Sequence, residues 1–215
     1  KALALYEAAF PAGHPIIATS WNNLASNINA QGRAAEAEPL YRKALVLYEA
    51  ALPAGHPDIA TGWDNLALNI EAQGRAAETE PLFHKALALR EAALPAGHPD
   101  IATSWNNLAG NMAAQGRVVE AEPLYRKALA LREAALATFH PGRIDGYWAL
   151  ADNLQRRGIA PAEVRWRYRQ AQAGAFERMA SFTGYTPAAQ AEVRKYRPIF
   201  TGQVRAAWDL AGGAR

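Results

Sequence analysis

Residues 57–98 read PDIATGWDNLALNIEAQGRAAETEPLFHKALALREAALPAGH, and 29 of those 42 positions are identical in residues 99–140. Against residues 15–56 the identities number 32. Self-similarity at a fixed period of this length is the signature of a repeat architecture. His-Pro returns at His14-Pro15, His56-Pro57, His98-Pro99 and His140-Pro141. Trp21, Trp63 and Trp105 keep the same spacing, with Tyr147 in the fourth place, as do Gly32, Gly74, Gly116 and Gly158. Lys1 aligns with Lys43, so a helical pattern is already under way at residue 1, and the expectation is a chain excised from a longer protein.

The quoted unit reads as two helices. Pro57 suits a first helical turn, where its missing N–H costs nothing. Ile59, Trp63, Leu66, Ala67 and Ile70 follow at helical spacing. Gly74 is the usual left-handed terminator. A second helix is expected from about Ala76 to Ala93, with Leu82, Phe83, Ala86, Leu87 and Leu89 as its apolar stripe and Pro81 tolerated near its start. One such pair cannot bury its apolar face alone, so neighbours must stack. The fold class is therefore all-α, an α-solenoid of stacked antiparallel helix pairs with a degenerate C-terminal helical cap. The array covers 1–140, as a partial first repeat and three 42-residue units. A degenerate repeat follows over 141–170, where Arg165-Trp166-Arg167-Tyr168-Arg169 replaces the Pro-Leu-Tyr-Arg-Lys of 123–127. Residues 171–215 are a helical extension, split near Thr186-Pro187 and ending in a linker at Gly212-Gly213.

Composition narrows the function classes. The chain has 215 residues, half of them apolar, a net charge of +3 and no Cys. Disulfides, thiolate metal sites and a cysteine nucleophile are excluded within it. No run approaches the roughly 20 apolar residues of a membrane span. No signal peptide is read, and a cytoplasmic site is the default expectation. Residues 1–138 carry 11 Lys+Arg against 14 Asp+Glu, whereas 139–215 carry 12 against 6. The basic character thus belongs to the tail, and two regions with different surfaces are expected.

The words Trp105-Asn106-Asn107-Leu108-Ala109, Gln115-Gly116-Arg117 and Glu120-Ala121-Glu122-Pro123-Leu124-Tyr125-Arg126-Lys127-Ala128-Leu129 resemble a tetratricopeptide repeat. More narrowly, they resemble the 42-residue variety of kinesin light chains and many bacterial proteins. The departures are Ala34, Ala76 and Val118, where that family often has an aromatic residue. The tail, with Phe200 and Trp208-Asp209-Leu210-Ala211, loosely resembles the link to a caspase-like (CHAT) domain.

The resemblance implies a TPR superhelix whose first helices line a groove for an extended peptide. Its lining would comprise Thr19, Asn22, Asn23, Ser26 and Asn27, then Thr61, Asp64, Asn65, Leu68 and Asn69, then Thr103, Asn106, Asn107, Gly110 and Asn111, with Asn153 continuing the series. Asn65 and Asn69 are spaced i,i+4 and share a helix face. An Asn amide offers a donor and an acceptor, the complement of a peptide unit. Asn side chains also bond to neighbouring helix backbones, and a ladder that only knits repeats together is the competing reading.

Other clusters point elsewhere. The four His recur two helix layers apart, too far to share an ion, and read as caps or loop packing. The repeated Trp reads as core. Glu36/Glu38, Glu78/Glu80 and Glu120/Glu122 suit a helix N-terminus better than acid/base chemistry. The Arg165–Arg169 patch is the one feature resembling a nucleic-acid binder, with an interdomain contact and a solvated face as alternatives. No phosphate loop, GxSxG or HExxH motif is present. The expectation is a non-enzymatic, cofactor-free and metal-free scaffold that binds a protein or peptide, not a membrane and not nucleic acid. The alternative is a regulatory or sensor arm of a bacterial CHAT-type protease or other effector, in intramolecular contact with a downstream domain.

Overall fold

The computed structural model describes the backbone of residues 2–182 and 186–212 and the side chains of 5–182 and 186–207. Gly213 and the side chains of Trp208 to Ala211, on which the linker and CHAT resemblance rest in part, lie outside the described residues. The helices are α1 (Ala2–Ala9), α2 (Pro15–Ala30), α3 (Ala34–Ala51), α4 (Pro57–Ala72), α5 (Glu80–Ala93), α6 (Pro99–Ala114), α7 (Val118–Ala135), α8 (Pro141–Arg156), α9 (Pro161–Ala180) and α10 (Pro187–Gly212). Among the described residues there is no strand.

Local chemistry sets the boundaries. Each of α2, α4, α6 and α8 begins with Pro preceded by His. The Nδ1 atoms of His14, His56, His98 and His140 accept the backbone N–H two residues on, at 3.1–3.2 Å. This is the side-chain acceptor that a helix start lacks otherwise. At the other end Gly32, Gly74, Gly116 and Gly158 have φ of +65° to +81°, a region that L side chains rarely adopt. Contrary to the expected start at Ala76, α5 begins at Glu80, after a separate 3-10 turn over Ala76–Glu78. Thr79 stands where Ala37 and Ala121 stand in the sibling repeats, and its Oγ1 donates to the Ala76 carbonyl at 2.9 Å, which tightens the turn. The expected boundary at 170 falls inside α9, whereas the split at Pro187 coincides with the start of α10.

The chain divides into two compact units, Lys1–Ala96 and Gly97–Arg215. In the first, α2 packs on α3, α3 on α4 and α4 on α5. Its core is built around Tyr41, Leu45, Tyr48, Ile59, Leu66 and Ile70. In the second, α6 packs on α7, α7 on α8, α8 on α9 and α9 on α10. Tyr125, Leu129, Ile144, Leu154, Tyr168 and Tyr196 are central there. Burial of each such side chain contributes about 1.5–3 kcal/mol. α10 touches α9 and α8 as α8 touches α7 and α6, so it occupies the place of one more first helix and forms the cap. Close approach is made by Gly202, where an added Cβ would lie 2.4 Å from the Tyr168 ring.

Candidate partner-binding face

The first helices carry the residues singled out above, and packing sorts them into three groups. Asn23, Asn27 and Leu68 are exposed. Asn22, Asn65, Asn106 and Asn107 are half-buried. Asp64, Asn69 and Asn111 are buried.

The half-buried pair forms a rung. Asn65 Nδ2 donates to Asn22 Oδ1 at 3.0 Å, joining the first helices α2 and α4 through their amides. The buried members have other partners. Asn69 Nδ2 donates to Asn29 Oδ1 and to the Ala34 carbonyl, both at 3.0 Å, which fastens α4 to the junction of α2 and α3. Its own Oδ1 accepts from Gln73 at 3.2 Å. Asn111 Oδ1 accepts from Gln115 at 2.8 Å. Asn153 is 1% exposed, and its amide has no partner. Asp64 forms a buried ion pair with Arg90 of α5, and Arg90 also donates to Thr61 Oγ1 at 3.4 Å.

Charged contacts lock neighbouring helices in each unit. Burial works to raise the Glu38 carboxyl, but bonds from Arg42 and Gln73 and the charge of Arg75 override it and hold it below the usual range. Arg42, Gln73 and Arg75 reach Glu38 at 2.7, 2.9 and 2.9 Å. Glu36 pairs separately with Arg33, so the two carboxylates diverge. In the second unit Glu122 pairs with Arg126 and Arg157, and Glu163 with Arg126 and Arg167. Of the basic aromatic patch, Arg167 is thus engaged and Tyr168 is buried, while Trp166 is 47% exposed and packs edge-on against Tyr147.

Of the repeated Trp, expected in the core, Trp105 is buried, whereas Trp21 and Trp63 are half-buried and pack against the core from its edge. Lys43, Lys85 and Lys127 place their ammonium groups 5.7, 4.4 and 3.8 Å from the ring centroids of Trp21, Trp63 and Trp105. Trp21 Nε1 donates to Glu7 at 3.2 Å, and Tyr147 donates to Glu133 in the equivalent position. A cavity of about 400 Å³ opens beside Trp21, Lys43, Val46 and Leu47. Its counterpart one repeat on, of about 490 Å³, is lined by Trp63, Lys85, Ala88 and Leu89. The shared 42-residue period of Trp and Lys was the signal for this stack, but period alone does not reveal that the two side chains meet.

Residues 16–91, 58–117 and 100–158 match a family model described as Tetratricopeptide repeat. Among solved structures, the chain is similar to a Podosopora anserina protein described as a kinesin light chain with nearly identical TPR-like repeats. Identity is 24% over 92% of this chain and 93% of that one, with a TM-score of 0.66. BtubC (BKLC) from P. vanneervenii is 19% identical over 93% of this chain and 82% of its own, with a TM-score of 0.66. Aspartyl phosphate phosphatase F from Bacillus subtilis is 14% identical over 92% of this chain and 48% of its own, again with a TM-score of 0.66. At these identities the likeness is one of fold. No curated protein matches.

Proposed function

Since the chain belongs to the tetratricopeptide repeat family, we propose that it is a protein-interaction scaffold holding a peptide or partner domain against its first helices. The observation that carries this reading is the Asn65–Asn22 rung, flanked by exposed Asn23, Asn27 and Leu68. Amides in that setting offer donors and acceptors to a peptide backbone without reading its side chains. Leu68, which stands where the other units have Ser26 and Gly110, adds an apolar contact. In the second unit Asn106 and Asn107 are the corresponding groups. Asn69 acts from beneath, by fastening α4 to the junction of α2 and α3. Micromolar binding by a groove as a whole corresponds to about −8 kcal/mol. A scaffold and a regulatory arm of a larger effector would use the same face.

The test is capture from source lysate by the parent protein and by an Asn23→Ala, Asn27→Ala, Leu68→Ala variant of matched circular dichroism and Tm. Partners retained by the parent and lost by the variant support the reading. The same partners on both would remove these residues from the binding face.

A further inference from the structure

At two junctions of the array, a ring on a first helix gives its polar hydrogen to a carboxylate on the helix before it. Trp21 Nε1 donates to Glu7 of α1 at 3.2 Å, and the Tyr147 hydroxyl donates to Glu133 of α7. Trp63 of α4 and Glu49 of α3 stand one period on from Trp21 and Glu7. There the bond is not made. Among the described residues neither the Trp63 indole N–H nor the Glu49 carboxylate has a hydrogen-bond partner.

Both side chains instead line the cleft of about 490 Å³ bounded by α3, α4 and α5. Ile59, Ala88 and Leu89 give it an apolar wall. Lys85 stacks on the Trp63 ring with its ammonium 4.4 Å from the centroid, and forms no ion pair among the described residues. An indole N–H is only a donor and a carboxylate only an acceptor. One group that accepts from the first and donates to the second therefore fits this opening. A peptide unit does so, with one C=O and one N–H that point in opposite directions. A carboxylate would meet Glu49 as a like charge, and an ammonium would leave the indole N–H unmet.

We propose that the cleft between α3, α4 and α5 is a second docking site, which holds an extended segment of a partner polypeptide by one peptide unit and one aliphatic side chain. The peptide N–H donates to Glu49, its carbonyl accepts from Trp63 Nε1, and Lys85 Nζ donates to the next carbonyl. Main-chain bonds of this kind give affinity, and the wall of Ile59, Ala88 and Leu89 selects the side chain. Trp63 and Asn65 are two positions apart on α4, so this cleft and the Asn65–Asn22 rung occupy different faces of the helix. The site stands apart from the first-helix face proposed above.

The 215-residue protein is titrated with acetyl-Ala-Leu-Ala-amide while the indole N–H resonances are followed by NMR. A saturable shift of the Trp63 resonance is expected, with that of Trp21, already bonded to Glu7, moving at least five-fold less. Glu49 is exposed, so Glu49→Ala keeps the parent circular dichroism and binds the tripeptide at least ten-fold more weakly. Acetyl-Ala-Gly-Ala-amide, which lacks the aliphatic side chain, also binds at least ten-fold more weakly to the parent. No saturable shift at Trp63, an equal one at Trp21, or undiminished binding by Glu49→Ala overturns the proposal. Isovaleramide offers one amide and one aliphatic group without a chain. If it binds as tightly as the tripeptide, the occupant is a small amide and the polypeptide is overturned.

Discussion

Asn27 and Asn69 occupy the same place in the repeat, yet one is exposed and the other fully buried. The difference is what covers them: Asn69 is fastened to Asn29 and to the carbonyl of Ala34, while Asn27 accepts a bond from Gln31, the residue that caps the end of α2. Helical spacing placed both on one face but could not show which of them a neighbouring pair would cover. Asp64 is a similar case, because its partner Arg90 is 26 residues away and on the second helix. Breaking that buried pair leaves a charge uncompensated, so Asp64→Asn lowers stability by about 3 kcal/mol in urea unfolding. Glu163 gives a prediction in pH. Its bond with Arg126, at 2.7 Å, and its contact with Arg167 hold its carboxyl below the ordinary value of 4.5. The unfolded chain therefore binds this proton more readily than the folded one. The resulting stability is complete above the ordinary value and is lost as pH falls through the lowered one. Because the pair is partly exposed, Glu163→Gln costs about 1 kcal/mol at neutral pH. The cost vanishes in strong acid, which thermal melts across the acid range would show.

At the scale of the helix, the starts and stops were legible because they depend on adjacent residues. His-Pro opens four helices, and a glycine of positive φ follows four. The late start of α5 was less so, since Thr79 alone separates that turn from its siblings and acts through one hydroxyl bond. The seating of α10 was not legible at all. It depends on Gly202 meeting Tyr168, a contact across 34 positions that no local pattern announces. Tyr168 is 1% exposed, so its ring has little room to retreat. Gly202→Ala therefore costs about 1–3 kcal/mol through overpacking. Faster hydrogen exchange along α10, with α6 and α7 unchanged, is the expected outcome.

For the molecule as a whole, the 42-residue period made the architecture readable before any contact was known. It did not disclose the division at Ala96 and Gly97, which falls between two cores. The core of the second unit draws on residues from Ala109 to Ala206, all within that unit. Residues 97–215 expressed alone should therefore unfold cooperatively and keep their helical far-ultraviolet signal, and a gradual melt would contradict this. The units also differ in charge, with 7 Lys+Arg against 10 Asp+Glu before residue 97 and 16 against 10 after it. An acidic partner of the second unit should thus bind more weakly as salt rises, over the range in which the Debye length falls from about 10 to 3 Å.

The histidine seams have a further consequence. Each is closed by a bond reaching only two residues ahead, so a joint between repeats carries its own instructions. Copying the codons for 57–98 in tandem would reproduce a seam already present, with no new junction to invent. A gene built this way can lengthen or shorten by whole periods through slipped recombination, and its product changes reach without relearning how to fold.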